Sequence, residues 1–583
     1  MQENMVSEAT LKNWSRLGVD VEEQGKRLSS RANKRLSKKN ILPLEYFSNK
    51  ENIQSIIVIA DYIKEKGIPI RKVIYNLALN LLKENNLIEL RDKDFSTKNK
   101  YLAEILSDFK QDFDKYLLDV YLPLDEEDFL GIVYQYSQSE GDKNTKGSYY
   151  TPQKVIQKVL KCLRPDDTFL DPCCGTGSFI LQCAQIIKNP QNIYGCDLDE
   201  IACFIAKINL IIKFKNIEFC PNIYNINFLG ENIPLEEKYF DVISTNPPWG
   251  AYVEDKYQKL FPKIKSGESF AYFIVQSKKY LKNNGKCSFI LPESILNVKV
   301  HQDVRKFILD GFSIRKIENL GKIFSGVLSN VVMLELNGEN IELIELVENG
   351  KTSYIEQKYY KSNNNYNFSF INSEDARLLD KIYSTGYETL INSVWGLGIV
   401  TGNNKKYLSL KKTSDNEPIY TGKEICAYYL QPAKNFIEYK RENFQQAAKD
   451  EIYRCEEKLV YKFISKKLVF AYDDSKSLFL NSANILIPRM ETHSTKTAMA
   501  FLNSKLFRYL YLKKFNELKV LKNNLSSLPF PILTPAQKCE LEKLVNNYLE
   551  TQDSKILYSI DEFVFKCFSL SLNEIDLIND FCN

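Results

Sequence analysis

The stretch Thr168-Phe169-Leu170-Asp171-Pro172-Cys173-Cys174-Gly175-Thr176-Gly177-Ser178-Phe179-Ile180-Leu181 decides the fold of this 583-residue chain. A short apolar run ends on an acid. A turn with two glycines follows, and a second apolar run starts at helical spacing. The pattern predicts a strand, a tight turn and a helix that presents its N-terminus to that turn. Gly175 and Gly177 permit positive φ and let a ligand approach the backbone closely. A dinucleotide fingerprint needs a third glycine where Ile180 stands, and this turn holds no G-K-[ST]. Neither a pyrophosphate nor a triphosphate is therefore the natural ligand. Asp171 suits a ligand with a cationic amino group. The alternative is a βα turn with no ligand.

Outward from this turn, short apolar runs alternate with helical stretches. IYGCDLD (193–199) precedes EIACFIAKINLIIKF, FDVISTN (240–246) precedes an irregular loop, and AYFIVQSKKYL precedes KCSFILP. This predicts an α/β domain built on a parallel sheet with helices on both faces. Asp197 closes the strand after the glycine turn, where an acid accepts both hydroxyls of a ribose. The alternative is a helix N-cap, a part that Asp199 fits equally. Asn246-Pro247-Pro248-Trp249 then follows a strand over Tyr239–Thr245. Two prolines fix φ and stiffen the backbone. They hold an amide and two carbonyls in one geometry, which suits an exocyclic base amine that must donate both protons. Trp249 offers a flat face for a base. The alternative is a proline-stiffened turn over a core tryptophan.

Together these residues resemble the S-adenosylmethionine-dependent amino-group DNA methyltransferases. Asp171–Ser178 looks like their cofactor loop, Asn246–Trp249 like their catalytic tetrapeptide, and Lys146-Gly147-Ser148-Tyr149-Tyr150-Thr151-Pro152 like the motif preceding the loop in the γ order. The motif-bearing resemblance covers about residues 120–345, with a looser one over 391–531. It implies a Rossmann-like methyltransferase domain with S-adenosylmethionine as cofactor. Tyr150, Thr151 and Pro152 would line its methionine end. Asp171, Pro172, Gly175 and Gly177 would hold its amino-acid part, and Asp197 its ribose. Asn227 replaces the family's usual acid near the cofactor adenine, an exchange an amide tolerates, and Phe228 would stack there. Asn246 and the Pro247 carbonyl would bind the target amine, with Pro248 completing the rigid elbow. Trp249 would stack on the flipped base, with Phe324 packing against it; an apolar residue before a strand is otherwise core. The resemblance implies methylation of adenine N6 in double-stranded DNA, with no metal required. The tetrapeptide chemistry alone also permits cytosine N4.

The surroundings divide the chain into a basic segment (1–45), a helical region (46–137), the catalytic domain (138–345), a linker (346–390) and an α+β target-recognition domain (391–583). The helical reading rests on IIVIADYIKEKG, KVIYNLALNLLKENN and LAEILSDFKQDFDKYLLDVYL. From 391 to about 530 short strands are expected, with a helical tail after them. Gly398–Lys405, Ile419–Ile425, Leu502–Phe507 and Leu528–Pro531 resemble the specificity domain of type II and combined restriction-modification methyltransferases. Basic and aromatic residues interleave between 405 and 522, which suits phosphate contact and base readout. The cluster at 26–39 is either a DNA contact or a solvated tail.

Composition limits the alternatives. Lys+Arg number 78 against 74 Asp+Glu, so charge alone names no partner. Two histidines argue against His-based nucleases and Ser-His-Asp catalysis. Thirteen cysteines without a C-x-x-C pair argue against a zinc ribbon and fit reduced thiols in a cytoplasm. No membrane span is expected. No nuclease motif stands out before residue 150, since Glu89–Lys93 lacks a partner. A separate restriction endonuclease, or none, is the expected companion. Rival readings are a methyltransferase acting on RNA or protein glutamine, one fused to a nuclease, and a DNA-binding module without catalysis.

Overall fold

The computed structural model describes residues 49, 52–91, 94–138, 150–230, 233–235, 238–324, 329–362, 364–465, 467–515 and 519–582. The basic cluster 26–39 and the motif residues Lys146–Tyr149 lie outside them. The described residues form two compact units, divided between Phe370 and Ile371.

The first unit is built on a nine-stranded sheet. Its strands are β1 (Phe169–Asp171), β2 (Ile193–Asp197), β3 (Asn222–Asn225), β4 (Phe240–Thr245), β5 (Leu281–Pro292), β6 (Ser313–Gly321), β7 (Val331–Asn337), β8 (Leu343–Glu348) and β9 (Lys351–Glu356), in the order 9-8-6-7-5-4-1-2-3. The strands β3-β2-β1-β4-β5 pair in parallel. β7 runs antiparallel to both β5 and β6. The sheet is thus mixed and not the parallel one expected. Only residues 322–330 separate β6 from β7, too few for the crossover a parallel pair requires.

Helices precede the sheet: α1 (Ile53–Lys66), α2 (Ile70–Glu84), α3 (Lys100–Asp108), α4 (Lys115–Asp119) and α5 (Phe129–Ser137). Gly67, at φ 64°, ends α1, and Pro69 opens α2. The continuous apolar pattern at 102–122 divides into α3 and α4. Asp114 intervenes, and its carboxylate accepts the Tyr116 and Leu117 N–H groups as an N-cap. Every residue from Val73 to Leu82 of α2 is buried. Asn76 and Asn80 within that run are satisfied: their amides donate to the Asp112 carbonyl and to the Leu117 and Val120 carbonyls. These helices share one continuous apolar core with the sheet, from Ile56 through Phe204 to Met333. The expected boundary at 138 does not separate two cores.

The later helices are α6 (Gln153–Val159), α7 (Ser178–Cys183), α8 (Glu200–Lys213), α9 (Ser269–Lys279) and α10 (Gln302–Gly311). The stretch 346–390, expected as a linker, is folded. It carries β9 and, in the second unit, helix α11 (Ser373–Ser384), which starts on an Asn372–Asp375 capping box.

The second unit holds two four-stranded sheets. One orders Val394–Leu397, Ala483–Ile487, Lys458–Lys462 and Phe470–Asp473; the other orders Leu408–Ser409, Asn435–Ile437, Glu417–Tyr420 and Leu478–Phe479. Residues 495–515, read as part of a strand-rich stretch, form the helices Thr495–Asn503 and Lys505–Phe515, and four more follow among the described residues. The aromatics of FRYLYLKKF alternate too densely to betray a helical period, but Phe507, Tyr509, Leu510 and Tyr511 are buried.

Candidate active site

The turn after β1 and the turn after β4 open on one cavity of about 840 Å³. Its walls include Tyr150, Thr151, Pro172, Gly175, Asp197, Asn227, Phe228, Asn246 and Pro248. Parallel pairing of β2, β1 and β4 places the three strand ends side by side. Residues 171, 197 and 246 are thereby gathered at one edge of the sheet, the usual ligand site of an open α/β fold.

Gly175 adopts φ 52° and Gly177 φ 96°, the left-handed region expected of both. Nothing lies within 4 Å of where a Gly175 Cβ would stand, so the turn leaves open space at its ligand side. The Gly175 N–H donates to Asp197 Oδ2 at 2.8 Å and the Asp199 N–H to Oδ1 at 2.9 Å. Asp197 is therefore aimed by backbone donors from the turns after β1 and β2, and its four lone-pair sites are not all taken by them. Burial raises its pKa. Asp199 is the N-cap of α8, accepting from the Ile201 and Ala202 N–H groups. The N-cap part left open between these acids thus falls to Asp199.

Four of the expected site residues before the tetrapeptide behave differently. Asp171 is 1% exposed and does not line the cavity. Its strand lies beside β4, and its Oδ1 accepts from Thr245 Oγ1 at 2.6 Å and from the Cys173 N–H at 3.2 Å. Burial pushes its carboxyl up to about 7. Gly177 lies behind the turn, where a Cβ would meet Ala206 at 3.2 Å. Pro152 starts α6 away from the cavity wall. Phe228 borders the cavity but is 2% exposed, its ring packed on Phe273 at 5.9 Å and Tyr280 at 5.6 Å. It is thus a packed support and not the open stacking face expected of it. Asn227 Oδ1 accepts the Leu229 N–H at 3.0 Å, which closes a small turn at the cavity rim.

At the elbow, Ser269 Oγ donates to the Pro248 carbonyl and the Gly250 N–H donates to Glu268 Oε2 at 3.2 Å. Trp249 Nε1 donates to the Ile290 carbonyl of β5 at 3.2 Å, and its ring meets Phe324 edge-on at 5.3 Å. The expected pairing of these two aromatics is present. Pro247, Trp249 and Phe324 stand behind the cavity wall.

Several cavity residues escaped the sequence reading. Leu198, 71% exposed directly after Asp197, offers an apolar edge. Tyr252 and Tyr257 come from the loop after the tetrapeptide, and Tyr134 from α5. Behind the glycine turn, Asp128 accepts from Thr176 Oγ1 at 3.0 Å and Asn209 Nδ2 at 2.8 Å, and it also bonds Tyr150. Burial pushes the Asp128 carboxyl up to about 7.

Residues 125–388 match the family model described as N-6 DNA Methylase, and 417–530 match the TaqI-like C-terminal specificity domain. The type II methyltransferase M.VspI of Vibrio sp. (strain 343) is 34% identical over 312 residues, spanning 51% of this chain and 74% of the relative. The chain belongs to the N-6 DNA methylase family. It is a DNA adenine methyltransferase of the restriction-modification kind. The type I restriction enzyme EcoEI methylase subunit of Escherichia coli is more distant, 24% identical over 32% of this chain and 42% of that subunit. Among solved structures, the type IIL restriction-modification enzyme MmeI in complex with DNA shares the fold at 14% identity, with a TM-score of 0.55 over 98% of this chain and 97% of that one. All thirteen cysteines of this methyltransferase are free thiols. Among the described residues, no helix is long and apolar enough to cross a membrane.

Proposed function

We propose that this methylase binds S-adenosylmethionine across the Gly175 turn and Asp197, and modifies N6 of an adenine flipped out of duplex DNA at Asn246. One observation carries the reading: the glycine turn, Asp197 and Asn246 line a single cavity. The residues present fit that cofactor. The open face of Gly175 would admit its amino-acid end, Asp197 could accept from ribose hydroxyls, and Leu198 and Asn227 line the cavity where its adenine would lie. When bound it would supply an electrophilic methyl group, with its own sulfur as the leaving atom.

The protein's own residues prepare the acceptor. The Asn246 side-chain oxygen and the Pro247 carbonyl accept the two amine hydrogens, which draws the nitrogen lone pair out of ring conjugation. Ser269 occupies the Pro248 carbonyl, so the elbow cannot swing. Trp249 lies outside the cavity lining, fixed by Ile290 and Phe324, and stacking on the flipped base is the part proposed for it as the aromatic that ends the elbow. Holding amine and methyl in line supplies much of the rate. The proton released from the amine passes to water.

Duplex recognition falls to the second unit, where Lys405, Lys406, Lys411, Lys412, Lys434 and Arg441 are exposed beside the short-stranded sheet. Labelled methyl transfer to unmethylated plasmid, tRNA and a glutamine-bearing release factor tests the substrate. Label on plasmid adenine alone is expected; label on tRNA or protein instead overturns the reading. The same plasmid incubated with magnesium and cofactor is expected to stay intact, and a separate endonuclease then completes the restriction system.

A further inference from the structure

The helices ahead of the sheet reach the cavity at three points. Tyr134 Oη donates to Asp199 Oδ2 at 2.6 Å. Asp128 holds Thr176 of the glycine turn. Arg71 of α2 forks onto Glu200 at 2.5 and 2.9 Å. The Arg71–Glu200 pair is solvent-facing, with Glu200 57% exposed, and such pairs contribute little. The other two are sheltered: Tyr134 is 5% and Asp128 4% exposed.

Those two residues bracket one helix. Asp128 precedes the first residue of α5, and Tyr134 sits further along it. From one end the helix grips the turn after β1, and from the other the turn after β2. Asp199, gripped by Tyr134, gives its own N–H to Asp197. Asp128, gripping Thr176, also takes Asn209 of α8, whose amide reaches the Thr176 carbonyl at 3.2 Å. Gly131 makes the first grip possible. A Cβ there would stand 2.3 Å from Asp128 Oδ1, so only glycine lets the carboxylate fold over its own helix.

We infer that α5 is the positioning element of the cofactor site: Tyr134 acting through Asp199, and Asp128 acting through Thr176, set the spacing between the glycine turn and Asp197. The inference rests on reading those two as cofactor contacts. Burial and the neighbouring Asp199 carboxylate push the Tyr134 hydroxyl up, so it remains a donor at any working pH. Neither Tyr134 nor Asp128 needs to touch the cofactor for this role.

The test uses the full chain and S-adenosylmethionine titrated by calorimetry, with steady-state methylation of unmethylated plasmid. Tyr134→Phe keeps the ring and removes one charge-assisted bond. It is expected to raise cofactor Kd and KM about tenfold, with kcat at saturating cofactor within about twofold. Gly131→Ala, which expels the Asp128 carboxylate, is expected to raise them at least as much. Tyr62→Phe serves as the control, because Tyr62 also donates to an acid of the same helical region, Asp114 at 3.1 Å, away from the cavity. It is expected to leave Kd unchanged whatever it does to melting. Asp197→Ala tests the underlying reading and is expected to abolish measurable binding. Cofactor Kd within twofold of wild type in Tyr134→Phe, alongside loss of binding in Asp197→Ala, overturns the role of α5 alone. Unchanged binding in Asp197→Ala overturns the site reading and the inference with it. If Gly131→Ala fails to fold, Tyr134→Phe decides.

Discussion

The two ends of the cavity are held by different means. At the Asn246 end, two prolines stiffen the chain itself, and one serine hydroxyl and one indole N–H tie the elbow to α9 and β5. At the Asp197 end, no proline stiffens the turn after β2. Its geometry depends on backbone donors from two separate turns and on side chains of α5. The contrast suits the tasks. An acceptor for a flipped base must not yield, whereas a cofactor must enter and leave on every turnover.

Substitutions at each end sharpen this contrast. Asn246→Ala should lower kcat by about a thousandfold or more, since it removes an acceptor from the reacting amine. Cofactor Kd should stay within about threefold by calorimetry; a large rise would mean that the two ends are not independent. Asp197→Ala should do the reverse, weakening cofactor binding about a hundredfold or more. A fluorescent base analogue at the target position should still brighten on binding. Trp249→Ala should reduce that base signal and cost about tenfold in kcat/KM, with Kd for cofactor unchanged. An undiminished signal counts against stacking.

The smallest expected effect is on pH. Burial raises Asp128 and Asp171 from 3.8 to about 7 in the folded protein. The native state then holds more protons than the unfolded chain between those values. Stability from this source is complete below about pH 4 and is lost as pH rises through about 7. Each group contributes a slope of up to about 1.4 kcal/mol per pH unit. Urea midpoints should fall between about pH 5.5 and 7.5, and Asp171→Asn should flatten part of that fall. An unaltered slope in the variant would place the proton elsewhere.

Legibility in the sequence divides along the same line. That the glycine turn, Asp197 and Asn246 would share one cavity was legible because they lie in short runs at successive strand ends. Gly175 and Gly177 have the positive φ their turn demanded. That Thr245 meets the Asp171 carboxylate was not legible, because strand pairing is invisible in one chain. The packing of Phe228 was hidden for a related reason: an aromatic at a strand end suits a ligand or a core equally, and Phe273 and Tyr280 pack on its ring. Asp128 and Tyr134 gave no signal at all, since each acts on a partner at least 48 positions away. The antiparallel β7 was lost because an apolar run does not record its direction.

The common core of the leading helices and the sheet bears on how this enzyme can be cut or recombined. A fragment starting at residue 138 would carry the recognisable motifs yet leave bare the surface that Leu77, Leu82, Phe129 and Ile132 now cover. Such a fragment would aggregate before it could be assayed. Chimaeras that exchange target preference should therefore keep everything from Asn52 to Phe370 intact and swap only the second unit, from Ile371 onward.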